Sequence, residues 1–334
     1  MIKAYAAFEA GGKLQPYDYD PGMLNDHDVE ITIEYCGICH SDLSMLHNEW
    51  GITQYPFVPG HEIVGTVLAK GKNVHNFQLG QRVGLGWHSG YCMTCYSCLS
   101  GDHNLCAQSE STIVSRHGGF ADKVRAHAAS VVALPDSIDI QSAGPLFCAG
   151  ITVFNPLLQF NISPTANVAV IGIGGLGHIA LQFLRAWGCQ VTAFTSSDDK
   201  KNEALALGAH KVLDTRDPAQ LAAASIQFDL ILSTVNVKLD WNAYITTLRP
   251  KGRLHFLGVT LESLDVNVFP LIAGQYSISG SPTGSPASML AMLNFADQHH
   301  IKPIVEIFPF NKVNEALAKL ASGKAKYRIV LSNQ

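Results

Sequence analysis

The sequence predicts an α/β protein of two domains, in which a mostly β domain precedes a doubly wound parallel sheet. Two observations support this division. Through the first part of the chain, short segments alternate apolar and polar residues, such as Val29, Ile31 and Ile33 among polar neighbours, and glycines separate these segments. From Asn167 onward, strand-like apolar segments alternate with amphipathic helical ones. That alternation indicates parallel strands joined by crossover helices.

The remaining elements follow in order. We expect further short strands at 63–69, 81–86 and 121–126, and a helix at 150–160 that begins the second domain. Strands are then predicted at 168–172, 190–195, 211–214, 228–234 and 252–259, with helices at 178–188 and 200–208. The tail carries a helix at 288–300, a strand at 304–308, a second helix and a last strand at 326–331. We expect this tail to return to the first domain, which gives the domains 1–148 with 284–334, and 149–283.

Composition excludes several classes of function. The chain has 334 residues, 47% of them hydrophobic and 15% charged, and a net charge of −4, so no basic surface for nucleic acid is expected. The N-terminus lacks the apolar core of a signal peptide, and the most apolar run, 167–181, is interrupted by glycines, so no membrane span is expected. We therefore expect a cytoplasmic protein, and its eight cysteines indicate metal binding rather than disulfides.

One pair of metal-ligand residues stands in the segment 36–65. Cys39 is followed 22 residues later by His61 and Glu62, and glycines and a proline surround them. A lone cysteine is more often a small buried apolar residue. A catalytic zinc, however, typically has three protein ligands from Cys, His and carboxylate, with one position open. Cys148 is the candidate for the third ligand.

A second set of cysteines lies close together in the chain. This set comprises Cys92, Cys95, Cys98 and Cys106. Four thiols this close together, with no histidine among them, match a closed structural zinc site. Cys36 forms a CxxC with Cys39 but has no further partner in sequence, so we interpret it as buried and structural. The sequence therefore predicts two zinc ions per chain.

The glycine motif of the second domain has the context of a dinucleotide-binding loop. It follows a predicted strand and opens a predicted helix, and its residues are Gly172, Gly174, Gly175, Leu176 and Gly177. In that context the backbone approaches the pyrophosphate, and the helix N-terminus meets its charge.

The end of the next strand predicts which nicotinamide cofactor binds. An acid at this position would bond the ribose 2′-hydroxyl and repel a 2′-phosphate. Here the strand ends with Thr195, Ser196 and Ser197, and Lys200 follows. Hydroxyl donors and a nearby cation favour NADP(H). The alternative is that Asp198 or Asp199 reaches the ribose and NAD is preferred.

Together these motifs resemble one enzyme family over essentially the whole chain. The segments GICHSD, PGHEIVG, CAGIT, GIGGLG and YRIVL, with the four-cysteine lobe, are similar to those of zinc-dependent medium-chain alcohol dehydrogenases, and most similar to the cinnamyl alcohol dehydrogenase type. The resemblance implies a partly open β-barrel (GroES-like) catalytic domain and a Rossmann nucleotide domain. It also implies an oxidoreductase that transfers hydride between NADP(H) and a primary alcohol or aldehyde.

The resemblance assigns roles around the catalytic zinc. It implies that Cys39, His61 and Cys148 hold the metal and that Glu62 lies beside it as a possible alternate ligand. Asp42 is then expected to orient the zinc-binding histidine. Ser41 is expected to pass the alcohol proton outward. We also expect cofactor contacts from a further set that comprises His40, Thr152 and Arg328.

The proton path departs from the pattern of many relatives. In those relatives a histidine stands three residues after the relay hydroxyl, but here that position is Ser44. The proton must then leave through water, His40, His47 or the cofactor ribose. His47 is a weaker candidate, because an exposed helical histidine is a simpler interpretation.

The substrate pocket is expected to be apolar. The residues at the family's pocket positions are Met45, Trp50, Ile52, Trp87 and Pro282. Such a slot suits aromatic, allylic or medium-chain primary alcohols and their aldehydes. The same residues could also be ordinary core.

Two other functions remain as alternatives. A metal-free quinone or enoyl reductase would need the glycine motif but not the three zinc ligands, and a non-catalytic NADP-binding zinc protein would show no turnover.

The segments GRLHFLGV and YSISGS are expected near the edge of the second sheet. Because an apolar edge strand needs covering, we expect a homodimer.

Overall fold

The computed structural model describes residues 1–334, which divide into two compact units. The first unit contains residues 1–151 and 283–334, and the second contains residues 152–282. The C-terminal segment thus belongs to the same unit as the N-terminus.

The first unit is built mainly from one sheet of seven strands. These are β3 (Asp28–Ile38), β4 (Glu62–Lys70), β5 (Arg82–Leu85), β8 (Lys123–His127), β9 (Val131–Ala133), β16 (Val305–Pro309) and β17 (Arg328–Ser332). Six of them follow the order β16-β17-β3-β4-β5-β9, and β8 pairs with the start of β3. Two short sheets join β1 (Ile2–Ala6) to β2 (Gln15–Tyr19) and β6 (His88–Gly90) to β7 (Glu110–Ser111).

Alternation along β3 explains how one face of this sheet covers a core. Val29, Ile31 and Ile33 are buried, while the residues between them are half-exposed. The pairing of β3 with β4 shifts register twice, and such shifts bend a strand and increase its twist. Gly65 lies at one of these points, where an added Cβ would stand 1.9 Å from the carbonyl oxygen of Thr32. Only glycine fits there.

The helices of the first unit are short, apart from two in the C-terminal segment. They are α1 (His40–Leu46), α2 (Tyr96–Leu99), α3 (Ile140–Ala143), α10 (Pro286–Gln298) and α11 (Val313–Ala321). Turns of 3₁₀ helix occur at His103–Leu105, Ala128–Ser130, Gly144–Phe147 and Phe310–Lys312. The division between the units falls inside α4 (Ala149–Gln159).

The second unit contains six strands and five helices after α4. The strands are β10 (Asn167–Ile171), β11 (Gln190–Thr195), β12 (Lys211–Asp214), β13 (Phe228–Ser233), β14 (Leu248–Phe256) and β15 (Ser277–Gly280). The helices are α5 (Gly177–Trp187), α6 (Asp199–Ala206), α7 (Pro218–Ala223), α8 (Trp241–Ile245) and α9 (Val268–Gly274).

These strands form one wholly parallel sheet in the order β12-β11-β10-β13-β14-β15. The chain starts at the centre, runs outward to β12, and returns to the centre to run outward again to β15. That is the doubly wound arrangement, with its switch point between β10 and β13. The prediction of a doubly wound second domain is confirmed. No helix in the structure has the length and apolar character needed to cross a bilayer.

Candidate functional site

Four potential metal ligands meet in the first unit, and we call them the catalytic cluster: Cys39, His61, Glu62 and Cys148. Their ligand atoms all lie within 4.8 Å of one another. The two sulfur atoms are 3.9 Å apart, and His61 Nε2 is 3.3 Å from Cys148 Sγ. The structure thus brings together Cys39, His61 and Cys148, the three residues that were predicted from the sequence to bind the catalytic zinc.

The start of α1 holds this cluster in place through Asp42. One carboxylate oxygen of Asp42 accepts from the backbone N–H of Cys39 at 2.8 Å. The other accepts from the Gly60 N–H at 2.9 Å and lies 3.0 Å from His61 Nδ1. Because an ionised carboxylate only accepts, Nδ1 carries a proton, and Nε2 is the ring nitrogen that faces the thiols.

The donor set fits a divalent cation. The hydrogen bond with Cys148 holds the pKa of Cys39 well below its ordinary value, and the same bond, with burial, raises the pKa of Cys148. Glu62 Oε2 is buried and has no hydrogen-bond partner. Two thiols, an imidazole nitrogen and an unpaired carboxylate oxygen together match the ligand preference of zinc.

Glu62 is held from its other side by Arg328. The guanidinium Nη2 pairs with Glu62 Oε1, and the side chains are 5% and 0% exposed respectively. Burial raises the pKa of Glu62, although the charge of Arg328 opposes that rise. Gly37 makes room for this carboxylate, since a Cβ there would lie 2.0 Å from Oε2. Arg328, predicted as a cofactor contact, is thus also a partner of the catalytic cluster.

The second group of ligands, which we call the cysteine lobe, comprises Cys92, Cys95, Cys98 and Cys106. Their sulfur atoms also lie within 4.8 Å of one another, and none forms a disulfide. Hydrogen bonds from the backbone N–H groups of Thr94 and Cys95 lower the pKa of Cys92 to about 6. A thiol that ionises this readily is suited to metal binding. Cys36 lies outside both groups and is fully buried, as expected.

In the second unit, the glycine motif forms the turn between β10 and α5. Gly172 has φ +86°, and an added Cβ would stand 2.5 Å from Val235 Cγ1. At Gly177 an added Cβ would stand 2.0 Å from the carbonyl oxygen of Gly172, so strand and helix approach as closely as backbones allow. Beside Gly174, by contrast, there is open space. A phosphate can therefore approach the loop there, at the N-terminal end of α5.

Three side chains with hydroxyl groups stand at the end of β11 and directly after it. Thr195 is buried and its Oγ1 accepts from the backbone N–H of Ser197 at 3.2 Å, whereas Ser196 is exposed. The ammonium of Lys200 donates to the carbonyl oxygen of Ile173 at 2.9 Å. That bond places a positive charge beside the glycine loop.

The neighbouring acid is already paired with cations. Asp198 lies 2.7 Å from Lys201 Nζ and 2.9 Å from Arg216 Nη2. Arg216 also binds Asp214 at 2.6 Å, at the end of β12. Sequence analysis missed Arg216. The basic residue shortly after β12, in the segment KVLDTRD, was the available signal.

Comparisons with known proteins agree with this geometry. The sequence matches the alcohol dehydrogenase GroES-like domain over residues 25–136 and the zinc-binding dehydrogenase family over residues 175–298. It is 65% identical over 333 residues to the aldehyde reductase AdhA of Synechocystis sp., covering 100% of this chain and 99% of that protein.

The chain belongs to the zinc-dependent medium-chain alcohol dehydrogenases, within the cinnamyl alcohol dehydrogenase type. A cinnamyl alcohol dehydrogenase from Sorghum bicolor (SbCAD4) has a similar structure, with a TM-score of 0.95, 36% identity, and coverage of 99% of this chain and 97% of that one. A Helicobacter pylori cinnamyl alcohol dehydrogenase, solved with NADP(H), has a TM-score of 0.91, 29% identity and the same coverage. The predicted fold class, with its GroES-like and Rossmann domains, is confirmed, and so is the prediction of an oxidoreductase.

The proton-path residues of this alcohol dehydrogenase differ in exposure. Ser41 is half-buried, and its Oγ lies 3.7 Å from Cys39 Sγ. Ser44, at the position where many relatives have histidine, is only 5% exposed. His40 and His47 are both exposed. The hydroxyl of Ser41 is thus in hydrogen-bond contact with a sulfur of the catalytic cluster.

Two indole rings stand next to the catalytic cluster of the dehydrogenase. Trp50 and Trp87 meet edge to face at 6.1 Å, and Trp87 packs against the His61 ring at 5.1 Å. Ile52 is 48% exposed. Met45, by contrast, is fully buried in the core, so it supports the neighbouring side chains rather than presenting a surface. Pro282 is exposed and belongs to the second unit.

Proposed function

We propose that the chain is an NADP(H)-preferring aldehyde reductase and alcohol dehydrogenase that acts on aromatic, allylic or medium-chain primary alcohols and their aldehydes. The catalytic cluster supports this proposal most directly, because Asp42 fixes one histidine tautomer against two thiols. The names of the relatives agree, since one is an aldehyde reductase and others are cinnamyl alcohol dehydrogenases. The apolar faces of Trp50 and Trp87 suit flat or extended apolar substrates.

Three residues of the catalytic cluster would then bind the metal, and Asp42 and Glu62 would support them. Cys39, His61 and Cys148 would hold zinc, which when bound supplies a Lewis acid that polarises the substrate oxygen. Asp42 keeps the proton on His61 Nδ1 and so keeps Nε2 available as a ligand. Glu62, paired with Arg328, would serve as the alternate ligand.

Ser41 is the side chain suited to moving the substrate proton. Its hydroxyl lies close to Cys39 Sγ at a half-buried position, so it can exchange a proton with the substrate oxygen on one side and with water on the other. Because Ser44 is buried and lacks a titratable group, we assign the next step of the path to water.

The second unit is proposed to bind the cofactor. NADP(H), when bound, donates or accepts the hydride. The loop from Gly172 to Gly177 would take the pyrophosphate. The 2′-phosphate would lie near Ser196 and Lys200, where the acid Asp198 is already paired with two cations. We propose that this unit, within 149–283, is the nucleotide domain and that 1–148 with 284–334 is the catalytic domain of a cytoplasmic enzyme.

This function is tested by assaying a panel of aldehydes with NADPH and NADH in parallel. The wild type is expected to use NADPH at least roughly tenfold more efficiently, because each charge-assisted bond to the phosphate is worth about 1.5–3 kcal/mol and 1.36 kcal/mol is tenfold. Ser196→Asp should sharply reduce kcat/KM with NADPH and leave that with NADH equal or higher. Ser225→Asp adds the same charge on the segment before β13. It should leave kcat/KM unchanged with NADPH and with NADH.

The panel separates two failures. If no aldehyde is reduced with either cofactor by zinc-loaded protein, the proposed activity is wrong. A wild type that prefers NADH would show instead that an acid such as Asp198 or Asp199 reaches the ribose, so only the cofactor assignment would fall.

We further propose that the protein is a homodimer paired through the edge of the second sheet. β15 is an edge strand, and α9, which precedes it, contains no charged residue. Val268, Phe269 and Ile272 on this helix are 63%, 80% and 71% exposed. A second copy of the same surface would cover both the helix and the edge.

Light scattering provides the measurement. The wild type should show twice the mass of one chain, and Phe269→Glu should shift it towards the monomer by placing a charge in the apolar contact. Leu205→Glu, an equivalent change at an exposed leucine on α6, should remain dimeric. A monomeric wild type, or a Phe269→Glu variant that remains as dimeric as the control, would contradict this interface.

A further inference from the structure

The first unit contains a cavity that the proposed reaction does not use. Its volume is about 510 Å³, and small-molecule sites typically have about 300–1,000 Å³. Its wall is formed by the end of β2, the start of β3, the facing strand β8 and the turn after β6. No residue of the catalytic cluster, the cysteine lobe or the glycine loop lines it. We call it the β2–β8 cavity.

The charges around the β2–β8 cavity cancel. Arg125 in the wall pairs through Nε with Glu30 at 2.6 Å, and the two side chains are only 18% and 13% exposed. Arg116 pairs with Glu110 at 2.5 Å, and both of these residues line the cavity. The remaining charged residue of the wall is Asp28, so the wall itself holds two cations and two anions. Neither an anionic nor a cationic ligand is therefore favoured by net charge.

Two histidines of the wall are held as uncharged donors. His27 Nε2 lies 3.2 Å from the side-chain amide nitrogen of Asn73, and His127 Nδ1 is 3.1 Å from the backbone nitrogen of Ala129. Because an amide nitrogen only donates, both of these ring nitrogens accept, and each ring carries its single proton on the other nitrogen. The two rings are stacked with their centres 5.9 Å apart. A metal ion is disfavoured here, since the remaining nitrogens carry protons rather than lone pairs.

The wall also offers further donors and acceptors. Arg125 uses Nη1 for two backbone carbonyl oxygens, at 3.0 and 2.9 Å, and none of its bonds uses the Nη2 protons. Burial raises the pKa of Tyr19 to about 12, so its hydroxyl keeps its proton at neutral pH. Asp28 accepts from Asn25 through Oδ2 at 2.8 Å, which leaves Oδ1 as an acceptor. A ligand in the cavity can thus meet both kinds of hydrogen-bonding group.

Two tyrosine rings add apolar surface to this polar wall. Tyr19 is stacked with Tyr17 at 5.9 Å and packs against His117 at 4.5 Å, so neighbouring rings hold it in place. Tyr91 lines the cavity as well and packs against His88 at 5.5 Å. The face of an aromatic ring carries partial negative charge and attracts the positive edge of C–H groups.

We propose that the β2–β8 cavity binds a neutral sugar. Every sugar hydroxyl both donates and accepts, so it can bond with the histidine and arginine donors and with the carboxylate acceptors of the wall. The C–H groups of a sugar ring can contact the tyrosine faces, and its lack of charge matches the cancelled charges of the wall. The inference goes beyond the proposed aldehyde reduction and does not depend on it.

Calorimetry on the zinc-loaded protein tests this proposal with named probes. Sucrose and trehalose are used because neither has a carbonyl group that the enzyme could reduce. At least one of them should bind with a Kd of about 1 mM or tighter, through several neutral hydrogen bonds. Citrate, putrescine and adenosine, which represent an anion, a cation and a flat aromatic ligand, should bind at least about tenfold more weakly.

Tyr19→Phe removes one donor from the wall and keeps the ring. It should weaken sugar binding roughly three- to tenfold, the value of one neutral hydrogen bond, and leave kcat/KM for aldehydes unchanged. Tyr17→Phe is the matched control, because it removes the same hydroxyl from the same strand at a residue that does not line the cavity. It should bind the sugars as the wild type does. Cys39→Ala should also bind them normally, since the catalytic cluster lies outside the cavity.

Three results would overturn the inference. The first is a wild type that binds neither sugar. The second is equal sugar affinity in Tyr19→Phe and Tyr17→Phe, or a loss of binding in Cys39→Ala, because the sugar would then occupy another site. The third is citrate, putrescine or adenosine binding more tightly than the sugars and losing affinity in Tyr19→Phe, which would assign the cavity to another class of ligand. None of these results bears on the proposed reductase activity, which the aldehyde panel measures separately.

Discussion

Replacing Cys39 by alanine is expected to lower kcat/KM for aldehyde reduction at least about a thousandfold, because a Lewis acid contributes several kcal/mol and each 1.36 kcal/mol is tenfold. The variant leaves His61 and Cys148 as ligands, but it removes one of the two thiols that balance the charge of a divalent ion. Zinc should therefore fall from two ions per chain to one. Elemental analysis and steady-state kinetics on the same preparation measure both effects.

The control for this variant is Cys189→Ala. Cys189 is also buried, but it lies in the second unit, where its thiol donates to the carbonyl oxygen of Ser163 at 3.7 Å. It should keep two zinc ions and full activity. NADPH affinity and the melting temperature should stay near wild type in Cys39→Ala, since neither the second unit nor the cysteine lobe is altered. Retained turnover in Cys39→Ala with one zinc ion would rule out the assignment of the catalytic cluster.

The start of the catalytic cluster was predictable because the local sequence around Cys39 carries its geometry, whereas Cys148, 109 residues further on, joined the cluster through the resemblance to a known family. Asp42 is both the third residue of α1 and the acceptor for the Cys39 N–H, so GICHSD folds into its own cap. The glycine loop was equally predictable, since Gly172 and Gly177 are required by a turn that any strand-to-helix crossover of this kind contains. A short sequence motif such as GICHSD or the glycine loop therefore predicts the contacts that form within that motif.

Contacts between distant segments could not be predicted in this way. Glu62 and Arg328 are 266 residues apart in the chain, and each alone looks like an ordinary charged residue. Their pairing depends on β17 reaching the sheet beside β3, which the sequence of neither strand specifies. The same limit explains Met45, whose place in a pocket or in the core is decided by what packs against it. The wall of the β2–β8 cavity likewise depends on the pairing of strands that are distant in sequence.

The second large effect is expected at the cysteine lobe. Cys95→Ser should lower the free energy of unfolding by roughly 3 kcal/mol, which corresponds to about 6–12 °C in melting temperature. It should also remove one zinc ion. The surviving folded fraction should keep kcat near wild type, because no lobe sulfur belongs to the catalytic cluster. Scanning calorimetry, metal analysis and active-site titration measure the three quantities.

The size of this effect follows from how little else holds the lobe together. Apart from Cys98 and Cys106, its segment 92–106 buries no apolar side chain, and Tyr96, Leu99 and Leu105 are 87%, 76% and 57% exposed. Its helical segments are single turns. A segment with no apolar core must be ordered by its metal, so zinc binding here contributes directly to folding.

Ser97→Ala is the matched control within the lobe, because Ser97 is not a ligand and its backbone, not its side chain, accepts from Ser100 Oγ at 3.3 Å. It should keep two zinc ions and the wild-type melting temperature. If Cys95→Ser lost its zinc without any fall in melting temperature, the lobe would be ordered by protein contacts alone. The bond from Asn104 Nδ2 to the Thr283 carbonyl, at 2.9 Å, is the first that such a result would implicate.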